Sequence, residues 1–391
     1  MGLELLTLSG VLLLIGLHPF LSYPASLALL ARLNARPVRA WPELPRGKRT
    51  ALCVCAYNEE AIIRDKVENM LALKERAPEL DLLVYVDAAT DATGSILRPY
   101  ADRLRVIVSP ERQGKTYGMN ALVAATDAEF VVFSDANVMF APNAIERLLL
   151  PFGDPEVGCV CGHLIYVGAP GSGTAFAGSL YWRMEEWIKR QESHSGSTMG
   201  ADGSIFAIRR RLHRPPPPDI IDDMFVSLSI LCEGYRVVRA RDALAYEEIV
   251  SKPGEEFQRK VRISCQAFNV HRLLATRLRQ LPLLDRFKYA SHKLLRWMTV
   301  YFFATAIAAL VAGLAASGDW AILAGLLAVA TVGTLAGAIF PTSPAGKLLE
   351  VAAAFLATGF GVLRSLRGDR FQTWTPAASA HSAATGFQPR A

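Results

Sequence analysis

The sequence predicts an α/β protein: a doubly wound, mostly parallel sheet with transmembrane helices at its N- and C-terminal ends. Two observations carry this reading. Between residues 48 and 250, apolar runs of strand length alternate with helix-length stretches, the spacing of a sheet wound with crossover helices. At the two ends stand charge-free runs, Leu5 to Ala31, Trp297 to Gly318 and Trp320 to Gly346, each longer than the roughly 20 residues that span a bilayer. At 391 residues, 51% hydrophobic yet 20% charged, the chain fits neither a wholly soluble globule nor a pure membrane bundle.

The first run makes residues 1–34 an N-terminal transmembrane helix. It lacks a basic start and is too long for the core of a cleaved signal peptide, so it reads as a retained anchor, kinked where Pro19 and Pro24 remove backbone donors. Only Glu4 precedes it, whereas Arg32, Arg36, Arg39, Arg46, Lys48 and Arg49 follow closely. That asymmetry places the 48–250 domain in the cytoplasm and the chain, as a multi-pass protein, in the inner membrane. From Phe257 to Arg296 ten Lys or Arg stand against one acid, Asp285, which predicts basic amphipathic interfacial helices over 251–296. The net charge of +6 therefore points to membrane lipids and not to nucleic acid. Residues 297–365 hold two transmembrane helices and a shorter run, Val351 to Leu363. Arg364, Arg367 and Arg370, in or beside the 366–391 tail, also ask for the cytoplasm, so the short run reads as re-entrant or interfacial, with a third span as the alternative. The two Cys-x-Cys pairs, Cys53/Cys55 and Cys159/Cys161, sit in apolar strands, and all six cysteines are expected as free thiols.

Within the domain, Ala51 to Ala56 reads as the first strand. Asn58, just beyond it, suits a helix cap or a nucleotide contact at the strand's mouth. Leu82 to Asp87 is the second strand, and Asp87 at its end is placed to take a hydrogen bond from a base or ribose. After a third strand, Leu104 to Ser109, the turn Glu111-Arg112-Gln113-Gly114-Lys115 opens a helix containing Asn120 and offers amides and cations to phosphate. Phe130 to Asp135, with no period-two alternation, reads as a strand buried on both faces. Asp135 and Asn137, two apart on an extended chain, point the same way and can meet one hard cation, Mg²⁺ or Mn²⁺, although Asp-Ala-Asn also suits a plain turn. The glycine-rich Ser197 to Ser204 reads as a turn into a short strand, and Asp222-Asp223 as an acid pair or a helix cap.

Seven motifs stand in order: Ala56-Tyr57-Asn58-Glu59-Glu60, Val86-Asp87 to Thr93, Arg112-x-Gly114-Lys115 with Asn120, Asp135-x-Asn137, Gly200-Ala201-Asp202-Gly203-Ser204, Asp222-Asp223, and Ser291-His292-Lys293-Leu294-Leu295-Arg296-Trp297. Together they resemble a membrane-bound family 2 glycosyltransferase, of the kind that makes bacterial exopolysaccharide or glycolipid. The resemblance runs from Leu52 to Thr373-Trp374-Thr375-Pro376. It implies a glycosyltransferase A fold and the inverting transfer of a hexosyl or N-acetylhexosaminyl group from a nucleotide sugar, UDP-linked in most of the family. The acceptor it implies is lipid-linked or a saccharide, with other polysaccharide-synthesis proteins as possible partners.

By the same resemblance the donor nucleotide lies near Tyr57, Asn58, Glu59 and Asp87. Its diphosphate meets Arg112, Lys115, Asn120, Asp135 and Arg262, with a divalent metal at Asp135 and Asn137. Asp202, Gly203 and Ser204 border the acceptor, and Asp223, tuned by Asp222, is the base. Two departures matter. The metal motif ends in a neutral Asn137 where the family has a second aspartate. Arg259 and Ile263 replace the glutamine and tryptophan of processive members around Arg262, which argues against long-chain polymerisation. A catalytically silent nucleotide-sugar-binding subunit and a processive synthase are the competing readings. A transporter is disfavoured because the apolar runs hold no ionisable group beyond His18.

Overall fold

In the computed structural model, which describes residues 1–167, 173–248 and 253–373, the chain enters through helices α1 (Gly2–Leu17) and α2 (Ser22–Leu33), bent by 50° at the break between them. The expected single kinked helix is thus two. Pro19 falls in the break, while Pro24 lies in the first turn of α2, where a missing N–H forfeits no helical bond. Then follow β1 (Thr50–Ala56), α3 (Ile63–Arg76), β2 (Leu80–Asp87), α4 (Thr93–Leu97), β3 (Arg105–Ser109), α5 (Lys115–Ala124) and β4 (Phe130–Asp135). The second half runs β5 (Val138–Phe140), α6 (Ala144–Leu149), β6 (Val157–Val167), α7 (Gly173–His194), β7 (Ile205–Arg209), α8 (Asp222–Cys232) and β8 (Arg236–Glu248). Helices α9 (Pro253–Arg279), α10 (Leu283–Tyr289), α11 (Leu295–Ser317), α12 (Trp320–Ile339) and α13 (Pro344–Leu366) complete the described chain.

The eight strands form one sheet in the order β3-β2-β1-β4-β7-β6-β8-β5. From β3 to β4 it is parallel; at β7 it turns antiparallel, with Phe133 of β4 opposite Phe206 and their rings stacked at 4.5 Å. Alternate residues of the central strands feed two cores. Leu52, Val54, Phe130 and Val132 pack on the α3 and α6 side; Ala51, Cys53, Val131 and Phe133 pack on the α5 and α8 side. This double burial is why β1 and β4 are apolar at successive positions. Because Ala56 pairs with Val86 and Cys55 with Asp135, the carboxyl ends of β2, β1 and β4 lie side by side. Asp87, Tyr57 and Asp135 therefore share one rim. All six cysteines are free thiols.

Among the described residues three helices are long and apolar enough to cross a membrane, the last of them α13, and the bent α1–α2 pair would make a fourth. The short run read from Val351 to Leu363 is thus part of a 23-residue helix. Lys347 and Glu350 interrupt the apolar run but not the helix, which Ser343 caps by accepting the Gly346 N–H at 3.1 Å. α1 packs antiparallel along α11: Ser9 Oγ donates to the Ala306 carbonyl at 2.8 Å, and Gly16 lies against Phe303. α13 runs antiparallel on α11 as well, with Tyr301 Oη donating to the Gly359 carbonyl at 2.7 Å and Phe355 facing Phe303. Its C-terminal end docks on α9, where Ser365 Oγ meets Asn269 Oδ1 at 2.6 Å. Beyond it, Arg370 reaches Asp219 at 2.6 Å and Gln372 Nε2 donates to the Gln113 carbonyl at 3.0 Å. Residues 374–391, and with them Trp374, Thr375 and Pro376, lie outside the described residues.

Candidate active site

The rim is organised by the turn before α5. Asp87, buried at the end of β2, accepts the backbone N–H of Gln113 at 2.7 Å and of Gly114 at 3.0 Å, and Arg112 Nε lies 3.8 Å away. The carboxylate expected on base or ribose also shapes the basic turn, each oxygen taking one backbone N–H and keeping acceptor capacity besides. Arg112 is laid over the Tyr57 ring at 3.5 Å. Asn58 adopts φ +53°, a conformation that asparagine tolerates. Its amide accepts from the Thr90 N–H at 2.8 Å and donates to Thr90 Oγ1 at 3.1 Å, tying the β1 and β2 loops together. It does not cap a helix, because α3 begins only at Ile63. Asn120 donates to the Pro216 carbonyl at 2.9 Å, and its Oδ1 is buried without a hydrogen-bond partner.

Lys115, the first residue of α5, points into the rim and meets Asp135 Oδ1 at 2.5 Å, with Asp222 Oδ2 at 4.0 Å. Burial works against its charge, but Asp135, Asp222 and Asp223 together hold its pKa above the ordinary lysine value. Asn137 Nδ2 donates to Glu247 Oε1 at 2.9 Å, which leaves Asn137 Oδ1 as the amide's acceptor end. Glu247 is pushed up to about 7 by burial and then by Asp135; Glu59 is pushed up to about 8 by burial, Asp135 and Asp91. The rim therefore concentrates carboxylates around Lys115. No three His, Cys, Asp or Glu side chains among the described residues converge as a metal cage. A cation held by Asp135 and Asn137 Oδ1 alone must complete its shell with oxygens from a ligand, the usual situation where Mg²⁺ binds a phosphorylated substrate.

Asp222 and Asp223 open α8. Asp222 is buried, its Oδ2 without a hydrogen-bond partner. Asp223 is half-buried, accepts the Met224 N–H at 2.6 Å, and is pushed up to about 7 by burial and by Asp222, with Lys115 opposing. Across from it, a Cβ on Gly203 would stand 3.0 Å from Asp223 Oδ2 and 3.3 Å from Lys115 Nζ. Only glycine lets that loop pass so close. Ser204 follows into β7. Asp202 is held by Lys189 at 2.6 Å, and Lys189 and Arg239 keep its carboxyl below the usual range against the effect of burial. On α9, Arg262 donates to Gln266 at 3.3 Å and is lowered to about 10 by burial and by Arg259; Arg259 itself pairs with Glu256 at 2.7 Å.

Residues 51–214 match the family model described as Glycosyl transferase family 2. The match spans 164 of the 391 residues, from β1 to just past β7. An O-antigen chain rhamnosyltransferase of Salmonella anatum is 25% identical over 198 residues, covering 48% of this chain and 63% of its own length. An N-acetylglucosaminyltransferase of Rhizobium sp. (strain N33) is 25% identical over 273 residues, covering 63% of this chain and 57% of its own. The chain thus spans less than two thirds of these relatives. A mannosyltransferase from Pyrobaculum calidifontis, solved with GDP-Man and Mn²⁺, superposes with a TM-score of 0.73 at 22% identity, covering 93% of this chain and 99% of that one. That likeness fixes the fold, the glycosyltransferase A arrangement.

Two rim residues escape the sequence motifs. Lys66 of α3 is fully buried beneath the Asp135 loop, where its Nζ donates to Ser134 Oγ at 2.7 Å and to the Val138 carbonyl. A lysine on the buried stripe Ile63, Val67, Met70 was the available signal. Glu247 lies beyond Ala243 and Ala245, both inward-facing on β8, so the period of two already aims it at the rim.

Proposed function

We propose that the chain transfers a sugar, with inversion, from a nucleoside diphosphate sugar to a lipid-linked or saccharide acceptor at the membrane's cytoplasmic face, in exopolysaccharide or glycolipid synthesis. The observation that carries this is the convergence, against Gly203, of a cation, Lys115, with a half-buried carboxylate, Asp223, that burial and Asp222 push up to about 7. The donor class rests on the family 2 match and the basic turn 112–115; a UDP-sugar is the first donor to test.

Lys115, Arg112 and the α5 amides would receive the diphosphate. A diphosphate brought among Asp135, Glu247 and Glu59 adds negative charge to negative charge, so it requires a cation. Asp135 and Asn137 would hold it, with Glu247 behind Asn137; when bound, Mg²⁺ or Mn²⁺ neutralises charge developing on the leaving group. In the transfer, the acceptor hydroxyl oxygen bonds to the sugar's anomeric carbon from the face opposite the diphosphate. The bond from that carbon to the diphosphate oxygen breaks, the electron pair leaves with the nucleoside diphosphate, and the hydroxyl proton passes to Asp223. Gly203 keeps room for the hydroxyl beside that carboxylate.

The test is incubation of purified protein with a panel of nucleotide sugars, Mn²⁺ or Mg²⁺ and membrane lipid extract, with products identified by mass. One donor is expected to yield a glycosylated lipid or saccharide. Nucleotide-sugar binding with no turnover of any donor would instead make the chain a silent binding subunit.

A further inference from the structure

A cation beside the apolar helix α11 stands unused on the acceptor side of the rim. Lys293 lies in the π-helical turn Ala290–Leu294 that joins α10 to α11, two residues before the membrane helix begins. Such turns shift the side-chain register and recur at functional sites.

Its neighbours are paired with one another. Glu185 accepts from His292 Nε2 at 2.9 Å and Arg296 Nη1 at 2.5 Å. Glu192 accepts from His292 Nδ1 at 2.7 Å, Tyr23 Oη at 2.5 Å, Thr198 Oγ1 at 3.1 Å and the Met199 N–H at 3.1 Å. Lys189 is held by Asp202. His292 thus has a carboxylate oxygen at each ring nitrogen, and Glu185 and Glu192 have close partners in His292 and Arg296. Lys293 is half-buried and, among the described residues, has no hydrogen bond and no ion pair at contact distance; Glu185 and Glu192, engaged with His292 and Arg296, attract it only at longer range.

Its stem reaches the acceptor loop, with Cε 4.0 Å from where Gly200 would carry a Cβ. The next residue, Ala201, donates its N–H to Ser227 Oγ at 3.0 Å, and Ser227 Oγ donates to the Asp223 carbonyl at 2.6 Å. Two residues further on, Gly203 abuts Asp223 itself. The ammonium and the base therefore flank one short loop, the ammonium on the side of α11. Deeper along that helix, Phe20, Phe303 and Phe355 form a half-buried aromatic surface beside Arg296.

We propose that Lys293 binds the phosphate of a phosphorylated lipid, and that such a lipid, its chain lying along α11, is the acceptor. An unpaired, partly desolvated ammonium is costly, and a phosphate offers the charge-assisted bonds that compensate it. This deepens the glycosyl-transfer reading and rests on it.

The test measures binding of a polyprenyl phosphate, and of the matching polyprenol, to the detergent-solubilised full chain and to Lys293→Gln and Lys293→Arg. The parent should prefer the phosphate by about tenfold or more, near 1.4 kcal/mol; Lys293→Gln should lose that preference with polyprenol affinity unchanged, and Lys293→Arg should recover part of it. Unaltered phosphate binding in Lys293→Gln, or equal loss of phosphate and alcohol, would overturn the proposal. So would equal binding of phosphatidylglycerol, which would mean bulk headgroup contact, or displacement by inorganic phosphate at the same concentration, which would mean a free-anion site. Retained Mn²⁺-dependent UDP binding in Lys293→Gln shows an intact fold. Failure of the parent to bind any nucleotide would sink the glycosyl-transfer reading instead, so the two failures are separable.

Discussion

Asp223 concentrates the chemistry into one titration. Burial and Asp222 hold it near 7, so kcat/KM is expected to rise with pH to a plateau through about 7, and Asp223→Asn should remove transfer while leaving Mn²⁺-dependent nucleotide binding within about twofold. Glu247 and Glu59 are raised as well, to about 7 and about 8. The sign for stability follows. Between the unfolded carboxylate value, about 4, and these folded values, the native state holds protons that the unfolded chain has released, so metal-free stability should fall as pH rises across that window. Lys66, lowered to about 7 chiefly by burial, acts in the opposite sense above that pH. Thermal melting from about pH 5 to 8 should therefore show a declining Tm, a shallower decline in Glu247→Gln, and a flatter one again with Mn²⁺ and UDP. A rising Tm over that range would contradict the buried-carboxylate reading. Lys66→Met should cost on the order of 1–3 kcal/mol by chemical denaturation, because Ser134 and the Val138 carbonyl lose a buried donor.

At the scale of elements, the site depends on how closely backbones approach it. Gly203→Ala places a methyl 3.0 Å from Asp223 Oδ2, and either loop or carboxylate must move; a kcat loss of about tenfold or more with Tm nearly unchanged is expected. Much of this layer is legible in sequence. Apolar residues at successive positions in Phe130–Asp135 announce a strand covered on both faces, and the basic turn 112–115 announces the start of α5. Other parts are not. Which oxygens a side chain meets depends on neighbours distant in the chain, so nothing local shows that Asp87 accepts from the amides of Gln113 and Gly114, or that Asn120 donates to Pro216. Asn137 reads as a weakened metal ligand from its own position; its partner Glu247 comes from β8, about a hundred residues away, and puts a second carboxyl beside it. α13 is longer than its apolar run for a simpler reason: two charges in its first turns end an apolar run without ending a helix.

The whole molecule poses the question of how its apolar helices are threaded. The Phe303–Phe355 and Tyr301–Gly359 contacts set α13 antiparallel on α11, so at 1.5 Å per residue the start of α13 lies near the level of Leu314, close to the end of α11. Both ends of α12 therefore attach on the side away from the catalytic domain, although the helix is about 30 Å long. On this geometry the α1–α2 pair, α11 and α13 would supply the crossings and α12 would lie along the far face. This keeps three crossings but exchanges which segment is interfacial, and it returns Arg370 and Gln372 to the catalytic domain. Single cysteines at Asp319 and Thr342 should both label from outside intact spheroplasts, and one at Gly368 only after permeabilisation. Labelling of Asp319→Cys and Thr342→Cys from opposite sides would refute this threading.

The central claim is that Asp223 deprotonates an acceptor while a metal-assisted diphosphate departs. Its most direct measurement is single-turnover transfer from the cognate nucleotide sugar in the parent and in Asp223→Asn, at donor and Mn²⁺ concentrations saturating for both. Inverted product from the parent, with a rate about a thousandfold or more lower in the variant, is the predicted result. Retained configuration, or a variant that transfers as fast as the parent, would contradict it.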